Sequence, residues 1–174
     1  MIFIDLASTP GSQSFTSSGN FTVPIYSTIT FTLKGGSGGG GEGADNFSSG
    51  HDGTAGTKSE IASLSLLANG GGAGKGGSPS STGANGADGT ASGGDTNTTG
   101  GGFSGGGGSS GGGNGSGGTG GASGLCQKTY AAGDLTPGDT IALTVGSRGN
   151  GGDGGSSRGA GSPGHVGQID VSWT

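Results

Sequence analysis

The chain has 174 residues, enough for one domain, but only 25% are apolar and 5% aromatic, too few to fill an ordinary core. A net charge of −5 with only six Lys and Arg excludes a nucleic-acid binder, which needs a basic surface. No run of about 18 apolar residues occurs, which excludes a membrane-spanning helix, and a single cysteine, Cys126, excludes an internal disulfide and reads as a small buried apolar residue.

In chain order, Met1-Ile2-Phe3-Ile4-Asp5-Leu6 lacks the basic start and the apolar length of a signal peptide. Residues 1–11 read as an N-terminal docking arm, with Ile2, Phe3 and Ile4 as an edge strand or docking contact, and 12–174 as one glycine-rich domain. Phe15 to Val23 reads as strand around a Ser17-Ser18-Gly19-Asn20 turn, and Pro24 ends it. Ser27 to Leu33 alternates, with Ile29, Phe31 and Leu33 on one face and Thr28, Thr30 and Thr32 on the other, the pattern of a half-buried strand. Lys58 to Leu67 carries Ile61, Leu64, Leu66 and Leu67. The spacing also suits a short helix, but flanking glycines favour a strand. Thr90 to Thr99 is a polar interruption. Leu125 to Leu135, Thr140 to Val145 and Val166 to Trp173 read as strands, with a Thr136-Pro137-Gly138-Asp139 turn between the first two.

Between these strands lie 51 glycines, several times the average usage of about 7%. They are phased. Gly50, Gly53 and Gly56 stand three apart; so do Gly71, Gly74 and Gly77, and Gly83, Gly86 and Gly89. Gly112 to Gly124, Gly146 to Gly155 and Gly161 to Gly167 continue the spacing, with Arg158 as the one break in the last register. A period of three matches the polyproline II helix, with 3 residues per turn, about 3.1 Å rise and no internal hydrogen bonds. Glycine at every third position bares one face, so that neighbouring helices can approach until their N–H and C=O groups bond. Five prolines are too few for collagen. The expectation is an all-β fold: a small antiparallel β scaffold with a packed polyglycine II helix lattice and almost no α-helix. The competing reading is a flexible Gly/Ser linker.

Motifs of chemistry are sparse. Gly-x-Gly-x-x-Gly carries no information in so glycine-rich a chain. A P-loop around Gly74-Lys75-Gly76 fails, because Asn69 and Gly76 stand where glycine and Ser/Thr are needed. The nine-residue calcium roll does not repeat, His51 and His165 are far apart, and no Gly-x-Ser-x-Gly elbow sits between strand and helix. The expectation is no enzyme, no metal and no cofactor. Function is expected in the loops that a rigid lattice presents: Asp45, Asn46, Phe47 and His51; Pro79; Asp95, Thr96 and Asn97; and Ser156, Ser157 and Arg158. Phe47 and Arg158 are side chains of the anchor type.

The order of the pieces carries a resemblance. "SFTSSGNFTVP" leads to "TITFTLKGGSGGGG", then "TKSEIASLSLLANGGGAGKGG", a long glycine stretch, "DLTPGDTIALTVGSRGNGG" and "GSPGHVGQIDVSWT". Over residues 12–174 this set resembles the glycine-rich domain at the ends of bacteriophage tail fibres, and the tail-tip adhesins built as polyglycine II sandwiches. The resemblance implies a virion protein, an exposed tail or fibre component made in the host cytoplasm. Its partners would be other phage tail proteins and a host cell-surface receptor, a glycan or an outer-membrane protein. Tail fibres are commonly trimers, though a monomer fits the sequence equally well. Two other roles fit the same composition: a structural connector, cap or decoration of the virion docked through Ile2, Phe3 and Ile4, and an ice-binding protein with flat Ala/Thr/Ser faces.

Overall fold

The computed structural model describes residues 8–110, 115–155 and 158–174. The docking candidates Ile2, Phe3 and Ile4, and the loop residues Ser156 and Ser157, lie outside the described residues. Among the described residues the fold is all-β, with antiparallel sheets and a single 3-10 turn at Ala62–Leu64.

The strands are β1 (Gly11–Phe15), β2 (Gly19–Thr22), β3 (Thr28–Lys34), β4 (Ser59–Ile61), β5 (Leu66–Ala68), β6 (Ala91–Ser92), β7 (Thr96–Thr98), β8 (Leu125–Ala131), β9 (Thr140–Leu143) and β10 (Gln168–Trp173). They form a five-stranded sheet in the order β1-β10-β3-β8-β7, a pair β2-β9 and a three-stranded sheet β4-β5-β6. β3 is central because its alternation is the cleanest: Ile29, Phe31 and Leu33 are fully buried. Opposite that face, Thr30 and Thr129 share a hydroxyl hydrogen bond at 2.9 Å. Ile169 and Val171 of β10, Cys126 of β8 and Phe21 of β2 complete the core around β3. Phe21 meets Phe31 edge-on at 5.8 Å between centroids and lies against Trp173 at the same distance. The small number of apolar residues is thus concentrated in one place.

Three expectations needed correction. Lys58 to Leu67 is not one strand: β4 and β5 pair with each other around Ala62–Leu64, and Ser65 turns the chain in the left-handed region at φ 55°. The polar segment 90–99 contains two short strands, β6 and β7. Strand β1 begins at Gly11, ahead of the expected Phe15, and pairs with β10 from Gly11↔Trp173 to Phe15↔Ile169.

Eight glycine runs, four leading away from this scaffold and four coming back, cover 35–44, 50–57, 69–77, 83–90, 102–109, 115–124, 146–155 and 159–167. Run 35–44, the direct continuation of β3, is buried throughout. Its N–H groups are shared among three neighbours in strict rotation. Gly35, Gly38, Gly41 and Ala44 donate to Gly124, Gly121, Gly118 and Gly115. Gly36, Gly39 and Glu42 donate to Thr57, Thr54 and His51, and Ser37, Gly40 and Gly43 to His165, Ser162 and Gly159. Its carbonyls serve three other neighbours: Gly36, Gly39 and Glu42 accept from Gly71, Gly74 and Gly77, Gly38 and Gly41 from Gly106 and Ser109, and Ser37 and Gly40 from Gly149 and Gly152. The partners it donates to run antiparallel to it, and those it accepts from run parallel. The six neighbours also close on one another, for example through Gly53 to Gly74, Thr54 to Asn150, Gly164 to Gly149 and Gly120 to Gly106. Run 83–90 lies outside this ring, bonded to 69–77 and 115–124.

Glycine is required here by space. A Cβ at Gly39 would collide with the carbonyl of Asn150, and one at Gly41 with that of Lys75. Run 35–44 therefore satisfies its backbone groups without regular sheet or helix.

Candidate functional site

The up-and-down course of the runs decides which loops meet. Runs 35–44, 69–77, 102–109 and 146–155 lead away from the scaffold, and each is followed by a run that comes back. The last residues of these outward runs, Ala44, Gly77, Ser109 and Gly155, therefore gather at one end, the tip. The described chain ends, Ser8 and Thr174, lie at the other, the base, where Trp173 Nε1 donates to Thr9 O at 2.9 Å.

At the tip, Asp45 Oδ1 accepts from the backbone N–H of Phe47 (2.8 Å) and Ser48 (2.6 Å), and Asp45 N–H donates to Ser48 O at 3.1 Å. This Asx-type turn explains why aspartate begins the loop. It holds Phe47 outward, 93% exposed, the most exposed large apolar side chain among the described residues.

Beneath the turn lies a residue that the sequence reading passed over. Glu42, fully buried at the end of the central run, accepts from His51 N–H at 2.8 Å and from Gly155 N–H at 2.9 Å. Its carboxylate also lies 2.8 Å from His51 Nδ1 and 3.0 Å from Arg158 Nε. Arg158 Nη1 in turn donates to Ser49 O at 2.8 Å. Burial pushes the Glu42 carboxyl up. The two N–H groups and the charges of Arg158 and His51 more than offset this and hold it below its usual range. Glu42, the one buried acidic residue among those described, thus fastens the start of run 50–57 and both sides of the last hairpin at the tip. The signal was legible only as Glu42 interrupting a glycine stretch.

His51 and Arg158 therefore stand at the foot of the loop that carries Asp45, Asn46 and Phe47. Behind them Asp52 accepts from Gly76 N–H at 2.8 Å and pairs with Lys75 at 2.8 Å. The Lys75 hydrogen bond is the main reason its carboxyl is lowered. Pro79 lies in the tip turn 78–82, closed by hydrogen bonds between Ser78 and Ser81.

Asp95, Thr96 and Asn97 are elsewhere. Asp95 lies in the β6–β7 turn and Thr96 and Asn97 in β7 of the scaffold, where the Asp95 and Asn97 side chains are engaged. Asp95 pairs with Lys128 at 2.5 Å and accepts from Thr129 N–H at 2.9 Å, while the Asn97 side chain closes on Gly94. The site candidates thus divide into a tip group and a scaffold group. Of the other side chains weighed from sequence, Cys126 is buried, and desolvation raises its thiol. His165 stacks on Phe103 at 5.6 Å between ring centroids, with the Lys34 ammonium 5.0 Å from the same ring. Among the described residues no His/Cys/Asp/Glu group is arranged to hold a metal ion. No helix there is long and apolar enough to cross a membrane.

No family model matches the chain, and no curated protein matches it.

Proposed function

We propose that this chain is a non-enzymatic virion protein, a phage tail-fibre or tail-tip module that presents its tip loops to a host-cell receptor. The glycine runs are polyglycine II helices in this reading. The three-step rotation of bonds around run 35–44 is what a helix with three residues per turn offers its neighbours.

The observation that carries the reading is the polarity of the molecule. The four outward runs finish at one end, where Phe47 is almost fully exposed, and both described chain ends lie at the other. A bare aromatic ring on a cross-bonded platform loses little conformational freedom on binding, which favours affinity. An exposed turn can also vary in sequence without disturbing the bonded lattice below it. The receptor would be a glycan or an outer-membrane protein, and the base would face other tail proteins.

The test uses the full chain, labelled, against a panel of bacterial outer-membrane vesicles and the lipopolysaccharide extracted from them. The reading expects saturable binding to some strains, lost on Phe47→Ser with unchanged thermal stability. Equal binding by the variant, or none to any strain, overturns it.

A further inference from the structure

The base carries a preformed cleft of 330 Å³ lined by Val23, Leu64, Leu135 and Ile141 below and by Asp134 and Asp139 at its mouth. We propose that it is a peptide-docking site for a partner segment that places an aliphatic side chain next to a Lys or Arg. The volume is at the low end of ligand sites, enough for about two side chains.

Its floor is part of the core: Val23 and Ile141 are 2% and 6% exposed. Its wall, the 134–139 turn, is pinned at several points. Leu135 N–H donates to the Tyr26 hydroxyl at 2.7 Å, and that hydroxyl reaches Leu135 O at 3.2 Å. Val23 N–H donates to Asp139 O at 2.9 Å and Gly138 N–H to Val23 O at 2.8 Å. A cleft held open in this way need not be ordered by its ligand.

Charge selects the occupant. Among the described residues, neither Asp134 nor Asp139 takes part in an ion pair, a property they share with Asp88, Asp153 and Asp170, but only these two line the cleft. Asp134 gives Oδ2 to Ala131 N–H at 2.8 Å, an interaction that leaves its charge in place. An apolar floor beside two exposed carboxylates, Asp139 in no ion pair and Asp134 acting on Lys128 only from beyond ion-pair distance, complements a side chain of the leucine type followed by a cation, and opposes one followed by an acid. A peptide, not a free amine, is favoured by position. The cleft opens at the base, opposite the tip, where a neighbouring chain can lie without obstructing Phe47.

The test is an amide-NMR titration of the full isotope-labelled chain with acetyl-Leu-Lys-amide, acetyl-Leu-Glu-amide, acetyl-Gly-Lys-amide and hexylamine. Acetyl-Leu-Lys-amide should shift the Leu64, Leu135 and Thr140 amides while those of run 35–44 stay fixed. Asp139→Asn should weaken it about two- to fivefold, the range of an exposed ion pair. Leu64→Ser should also weaken it, and fixed lattice amides report that either variant folds. Equal response to the Leu-Glu peptide or to hexylamine, no shift with any probe, or an Asp139→Asn variant that binds as the parent overturns the proposal. Because Phe47 plays no part, the outcome is independent of the receptor-binding test.

Discussion

Glu42 and His51 are joined twice: the backbone N–H of His51 donates to Glu42 Oε2 at 2.8 Å, and its Nδ1 lies 2.8 Å from the same oxygen. The buried carboxylate is thereby held by the first residues of the returning run. It is also held by Gly155 and Arg158 from the last hairpin. Replacing it with Gln removes the charge that Arg158 faces. Arg158 is 18% exposed and His51 67%, so water compensates in part and the cost falls below that of a fully enclosed pair. Glu42→Gln should therefore destabilise by about 2 kcal/mol, read by chemical denaturation. Amides at 42–51 should exchange faster than those near Gly36.

The same group sets an acid limit. The folded Glu42 carboxyl is held below its usual value, and those of Asp52 and Asp95 are lowered as well, mainly by hydrogen bonds from Lys75 and Lys128. A depressed folded value means that the unfolded chain binds protons first as pH falls. Stability from these groups is complete above the unfolded carboxylate range of about 4 and is lost as pH drops through the lower folded values. Thermal melts from pH 6 to pH 2 should show this decline, and Glu42→Gln should flatten it.

Two glycines of the lattice should respond in opposite ways to the same methyl group. At Gly39 a Cβ meets the Asn150 carbonyl inside the ring, where nothing can give without separating two bonded runs. At Gly107 a Cβ meets nothing within 4 Å. Gly39→Ala should cost about 3 kcal/mol or prevent folding, as overpacking does. Gly107→Ala should be neutral or stabilise by about 0.5 kcal/mol, because it restricts the unfolded chain. Paired melting curves decide the matter.

The Tyr26 hydroxyl both accepts from and donates to Leu135. Tyr26→Phe leaves the Leu135 N–H without its partner and should cost about 1–2 kcal/mol. The 134–139 turn should then show faster amide exchange, with run 35–44 unaffected.

Phe47 makes a contrasting case. At 93% exposure its replacement by Ser should leave the melting temperature nearly unchanged, within about 0.5 kcal/mol. In the proposed receptor-binding role Phe47 would be the anchor, and binding should fall about tenfold or more.

The sequence by itself determined the class of fold and where its scarce apolar residues would go. Alternation in Thr28–Lys34 and Gln168–Trp173 marks strands because every second side chain must reach one core, and that demand is local. The phased glycines fall in the hydrogen-bonded runs, where bare positions let one backbone approach another. The hairpin at 59–68 was hidden because β4 and β5 are three residues each, too short for any period to register. What the tertiary structure alone decided was the grouping of the loops. Phe47, His51 and Arg158 share the tip while Asp95, Thr96 and Asn97 do not. The cause is the alternating direction of eight runs, whose hydrogen bonds join residues as far apart as Ser37 and His165. Glu42 belongs to the same class. Its role rests on partners brought in by run 50–57 and by the last hairpin, and no local pattern records which runs will be neighbours.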